Sequence, residues 1–75
     1  IVAGSFNFID AGGSLIGAGT NNTASGINSV VIGGGFNRIE LNANFSTIVG
    51  GMNNKIGVAS AYNFVGGGYH NQIAN

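Results

Sequence analysis

The sequence predicts an all-β fold, a parallel β-solenoid of the β-roll or β-helix kind with about five coils of 15–17 residues, on three observations. The first is repetition. With Asn as origin, one pattern lies over the chain five times, at Asn7, Asn22, Asn37, Asn54 and Asn71, spaced by 15, 15, 17 and 17 residues. Each copy has Ile or Val six residues before the Asn, Gly or Ala four before, Gly three before, and Ile or Ala two after. So short a period, carried across the whole chain, marks units that bury surface only against their neighbours. The second observation is residue type: each copy runs from β-branched residues through a Gly cluster to a short alternating stretch, which reads as strand, turn, strand. The third is negative, because fifteen Gly in 75 residues leave no apolar stripe at helical spacing.

The elements of one coil follow in order. The apolar column before the Asn (Ile16, Val31, Ile48, Val65) and the column after it (Ile39, Ile56, Ile73) supply the inward side chains of two strands. Alternation from these positions turns the Asn inward as well, together with the Gly or Ala four before it. Coils stack ~4.8 Å apart, so each Asn amide is expected to donate to the next Asn carbonyl and relieve the cost of burial. The invariant glycines Gly4, Gly19, Gly34, Gly51 and Gly68 are expected at positive φ, where a Cβ is disfavoured. Length varies at one corner alone. Six residues separate Ile9 from Ile16 and Ala24 from Val31, and eight separate Ile39 from Ile48 and Ile56 from Val65. Insertions belong on a surface corner when strand pairing fixes everything else.

Composition excludes several classes of function. Only Asp10, Arg38, Glu40 and Lys55 are charged and the net charge is zero, so the basic footprint for nucleic acid or an anionic membrane is missing. Without Cys there is neither a disulfide framework nor a thiolate metal site. No apolar run approaches the roughly 18 residues of a membrane span, and no signal peptide is visible, because Ile1-Val2-Ala3-Gly4 enters the first repeat directly. Residues 1–75 read as a single repeat segment that starts and stops inside a repeat, as expected of a piece of a longer fibre. Two or three inward aliphatic residues per coil are few against the entropy of ordering the backbone. The outward alternates Leu15, Val30, Ile32, Val49 and Phe64 would then bury against other chains, and the expectation is a homotrimer.

The stretch Asn28-Ser29-Val30-Val31-Ile32-Gly33 resembles the repeat of trimeric autotransporter adhesin heads, whose left-handed parallel β-roll units carry a Ser-Val-Ala-Ile-Gly signature. The matching column is Ser14, Ser29 and Ser46, with Asn63 in the last copy, and Asn22-Thr23-Ala24-Ser25-Gly26 is similar to the second half of that repeat. The Asn column and the two longer units depart from the family pattern. Gly-Gly-x-x-Asn repeats also resemble those of virus and phage fibres. A weaker similarity, through Gly-x-x-Asn-x-Ala/Ile, is to curli-type amyloid repeats, which carry Gln ladders where this chain has only Gln72. These resemblances imply a trimeric, extracellular, cell-surface or virion-surface fibre.

Catalytic and metal chemistry find little support. A calcium-binding β-roll needs recurring Asp, and Asp10 stands alone. No Gly-Lys-Ser/Thr follows Gly33-Gly34-Gly35 or Gly66-Gly67-Gly68, so these clusters read as turns and not as phosphate loops. His70 lacks partners for a metal, and a Ser14, His70, Asp10 triad has no predicted pocket. Neither a cofactor nor an enzymatic activity is therefore expected. Arg38 and Lys55 stack in adjacent coils with Glu40 near them; Asn21-Asn22-Thr23 and Asn44-Phe45-Ser46 match the glycosylation pattern. Phe36, Phe45, Tyr62, Tyr69 and His70 are the candidate contacts, either with a receptor protein or glycan or between chains of the oligomer. The expected function is an adhesive or structural fibre segment that works by multivalent weak contact. A self-polymerising amyloid-like filament subunit is the alternative. An ice-binding face is disfavoured because Thr20, Thr23 and Thr47 fall in different columns.

Overall fold

The first repeat contributes one very short strand and each of the other four contributes two, since a coil of this length has room for little more between its corners. A computed structural model describes residues 1–74, and within them the strands are β1 (Phe8–Ile9), β2 (Leu15–Ile16), β3 (Thr23–Ala24), β4 (Val30–Val31), β5 (Arg38–Ile39), β6 (Thr47–Ile48), β7 (Lys55–Ile56), β8 (Phe64–Val65) and β9 (Gln72–Ile73). The odd strands form a parallel sheet in the order β1-β3-β5-β7-β9, and the even strands a second in the order β2-β4-β6-β8. Strands consecutive in the chain thus lie in different sheets, and the chain winds as a β-solenoid of about four turns. A third, narrower side is tied by single-residue bridges that join Ser5, Thr20, Gly35, Met52 and Tyr69 in sequence.

Register follows the repeat. Phe8, Thr23, Arg38, Lys55 and Gln72 lie side by side, as do Leu15, Val30, Thr47 and Phe64. The extra residues of the longer units fall between β5 and β6 and between β7 and β8, so the pairing steps from 15 to 17 residues without a slip. An unshifted register keeps the same residue of every pair facing inward. Ile16, Ala24, Val31, Ile39, Ile48 and Ile56 are fully buried, joined by Val65 and by Ala43 of the longer corner, and Ile9 and Ile73 pack against the ends of this column.

The residue four before each Asn does not join them, although strict alternation predicts that it should. Ala18 is exposed and Gly33 and Gly50 are half-buried, because the chain turns at the next Gly and the strand is already over. Those residues contribute a carbonyl instead, as described below. Among the described residues no buried side-chain nitrogen or oxygen lacks a hydrogen-bond partner, which is how a core with three fully buried Asn and two buried Ser is tolerated. The Ser column is one of these devices: Ser14 Oγ accepts the Ser29 N–H at 3.3 Å, and Ser46 Oγ accepts the Asn63 N–H at 3.2 Å.

Candidate functional site

The Asn and Gly columns form the spine on which outward residues are displayed. Asn22, Asn37 and Asn54 are buried, Asn7 is half-buried and Asn71 is exposed. Their wiring differs from a simple amide-to-amide ladder. Each side-chain oxygen accepts the main-chain N–H of the next Asn: Asn7 from Asn22 at 3.1 Å, Asn22 from Asn37 and Asn37 from Asn54 at 3.0 Å, and Asn54 from Asn71 at 2.9 Å. The amide nitrogen of Asn37 donates to the carbonyl four residues back, Gly33, at 2.9 Å and to the next coil's Gly51 carbonyl at 3.0 Å. Asn22 and Asn54 repeat both bonds. Among the described residues one bond joins two of these amides, from Asn22 to Asn7 at 3.2 Å. Main-chain groups at a corner fall outside regular strand pairing and still need partners, and the side chain supplies them.

Glycine is required beneath each Asn for two reasons. Gly4, Gly19, Gly34, Gly51 and Gly68 have φ of 95°, 100°, 89°, 89° and 98°. A Cβ on Gly34 would also strike the Gly51 carbonyl and lie 2.7 Å from Asn37 Nδ2.

One residue before each Asn the backbone is left-handed again, at Phe6, Asn21, Phe36, Asn53 and His70, with φ from 55° to 59°. The N–H at this point turns back to the preceding coil, from Asn21 to Ser5 at 3.1 Å and from Phe36 to Thr20 and Asn53 to Gly35 at 3.0 Å. Asn21 and Phe36 project outward and Asn53 is half-buried beside them. One residue after each Asn, the first position of each odd strand faces outward too. Between the two columns runs an open groove of about 360 Å³, lined by Asn21, Thr23, Phe36, Arg38 and Asn53. Its charge is set by a small network in which Glu40 lies 3.7 Å from Arg38 Nε and 3.5 Å from Lys55 Nζ. One carboxylate facing two cations leaves a local excess of positive charge and relieves the repulsion between them.

The chain matches no family model, curated protein or solved structure. The five aromatic and His candidates from the sequence are not gathered into one site. Phe36, Tyr69 and His70 lie along the narrow third side and its corner, where Tyr69 and His70 meet edge to face at 4.1 Å. Phe45 and Tyr62 sit at a different corner, between the two sheets, both at positive φ and stacked with ring centroids 5.2 Å apart and planes 7° from parallel.

Sequence reasoning singled out Phe36 and missed the groove around it. The available signal was column membership, since Asn21 and Asn53 occupy the Phe36 position in the flanking coils, and Thr23 the Arg38 position. Asp10 follows β1 and His70 precedes β9, so the length of the sheet separates them, while Ser14 Oγ donates to the Gly26 carbonyl at 2.7 Å. Those three side chains do not meet. Among the described residues no three His, Cys, Asp or Glu side chains come together, and no helix is long and apolar enough to cross a membrane.

Proposed function

We propose that this chain is a structural and adhesive fibre segment: five solenoid coils that associate as a homotrimer and present repeated weak contact sites at a cell or virion surface, without catalysis. The observation that carries this reading is the outer side of the even-stranded sheet. Leu15, Val30, Thr47 and Phe64 form its central column, Ile32 and Val49 flank one side, and the Phe45–Tyr62 stack borders the other. Phe64 is 66% exposed and Ile32 47% exposed. No charged residue lies on this face: Arg38 and Lys55 are on the odd-stranded sheet, and Asp10 and Glu40 directly follow β1 and β5 of that sheet. A largely apolar, uncharged face on a chain with so small a core is a surface to be covered.

Three copies cover it economically. With the central column turned to a threefold axis, the Phe45–Tyr62 border of one copy meets the Ile32–Val49 border of the next, a heterologous contact that closes. A standard interface takes about 800 Å² from each partner, roughly a fifth of the 3831 Å² surface of the chain. The resemblance to adhesin-head and viral fibre repeats supports the same stoichiometry and the surface location. Trimerisation gives three copies of every outward site, so weak individual contacts gain avidity.

The test is mass in solution by light scattering. The expected value is three times the 7.5 kDa chain, and Val30→Asp should return the single-chain mass with its β-sheet signal retained. A wild-type monomer at high concentration would refute the trimer. Growth into open-ended fibres would favour the amyloid-like filament instead.

A further inference from the structure

We infer that the groove around Phe36 is a binding site for a saccharide bearing a carboxylate. The inference rests on the adhesive reading and names the ligand class that its outward corner would take.

Four features converge there. The first is a flat apolar surface in the right place: Phe36 is 55% exposed and set on a backbone at φ 55° that bonds to the preceding coil. An exposed ring on a backbone anchored by a main-chain bond offers an apolar face to the C–H side of a pyranose. Second, Asn21 and Asn53 hold the same position in the coils on either side, ~4.8 Å away along the stack. Their main-chain N–H groups are used internally, while their side-chain amides make no hydrogen bond to any described residue. An amide pairs a donor with an acceptor and matches the vicinal hydroxyls of a sugar. Third, the Thr23 hydroxyl, also without a described hydrogen-bond partner, lies across the groove. Fourth, Arg38 closes the groove beside Thr23, and Glu40 engages its Nε only loosely, at 3.7 Å. A guanidinium binds a carboxylate through two parallel hydrogen bonds, and Lys55 nearby adds a second positive charge.

Other ligands fit less well. A nucleic acid would need a run of cations, and the chain carries only two. An apolar ligand would leave the amides and the guanidinium unpaired. The groove volume falls at the small end for ligand sites and suits one or two sugar rings rather than a folded partner.

The experiment is an amide-resolved NMR titration of the 75-residue chain with three probes: trigalacturonic acid, maltotriose as its neutral counterpart, and sodium acetate as a lone carboxylate. The expected result is saturable shifts centred on Asn21, Phe36, Arg38 and Asn53 with trigalacturonic acid, at least tenfold weaker with either other probe. Phe36→Asn should weaken binding at least tenfold. It installs the residue that both flanking coils already carry at this position, so the left-handed backbone is kept. Arg38→Gln should reduce trigalacturonic acid affinity to that of maltotriose, and Leu41→Ala, at an exposed corner away from the groove, should change nothing. Equal binding of maltotriose, shifts that map to the even-stranded sheet, or no saturation at tens of millimolar would each overturn the assignment. Light scattering on the same samples separates this from the trimer. A monomer that binds the acidic sugar refutes the assembly alone, and a trimer that does not bind it refutes the groove alone.

Discussion

Asn37 holds three main-chain groups at once, the Asn54 N–H and the Gly33 and Gly51 carbonyls, in a place with no access to water. Truncation to Ala strands all three, and a buried unsatisfied group costs about 1–3 kcal/mol. Asn37→Ala should therefore lose about 3 kcal/mol or more in urea unfolding. Asn37→Asp should be worse, since an anionic oxygen would then face two carbonyls. The exposed Asn71 keeps its Nδ2 bond to Gly67, and Asn71→Ala should cost less than about 1 kcal/mol. The glycines give a matched pair. At Gly34 both φ and a neighbouring carbonyl forbid a side chain, while a Cβ at Gly50 meets nothing within 4 Å. Gly34→Ala should cost more than about 2 kcal/mol, and Gly50→Ala should stay within about 0.5 kcal/mol of wild type. Thermal melting of the two variants checks the contrast. Spacing alone puts these Asn in one column, but spacing carries no information on which atom accepts. The acceptor is decided by where the corner peptides point, and that depends on a second left-handed residue at Phe36 and its equivalents, which nothing in an aromatic side chain announces.

The two kinds of corner differ in what they can absorb. Between β4 and β5 the chain is pinned by Gly34, by the Gly35 to Met52 bridge and by the Asn37 bond back to Gly33. Between β5 and β6 the residues Leu41 and Asn42 are exposed, and the natural chain already carries two extra residues there. A further Ser-Gly pair inserted between Leu41 and Asn42 should lower the melting midpoint by only a few degrees, because lengthening a flexible loop costs little. The same pair between Gly34 and Gly35 should abolish the cooperative β-sheet transition seen by circular dichroism. Strand pairs and the variable corner were legible in the sequence because β-branched residues and length changes recur at fixed offsets. The third, single-residue side was not. A column of Ser5, Thr20, Gly35, Met52 and Tyr69 shares no chemistry from coil to coil, since only its main chain is used. For the same reason the groove was invisible: its amides and its ring belong to one column of unlike residues, read singly as surface positions.

For the molecule as a whole, the separation of charge from apolar surface dictates how assembly should respond to conditions. Every charged side chain is carried by the odd-stranded sheet or directly after it, and in the Arg38–Glu40–Lys55 network Arg38 is exposed while Glu40 and Lys55 are half-buried at the surface. Such pairs contribute little and are screened by salt. The face assigned to the trimer axis has no charge to screen, and its driving force is removal of Leu15, Val30, Ile32, Val49 and Phe64 from water. Association through that face, as proposed, would stabilise the fold by mass action, so the thermal midpoint should rise with chain concentration. A hundredfold dilution should lower it by roughly 10 °C for a trimer of this size. Raising sodium chloride to about 1 M should leave that dependence intact, because only interactions between charges are screened. Phe64→Glu should flatten the dependence to that of a single chain, since three carboxylates would converge on one apolar axis. A wild-type midpoint independent of concentration, or one that salt collapses to the Phe64→Glu value, would mean that the apolar face is not where the copies meet.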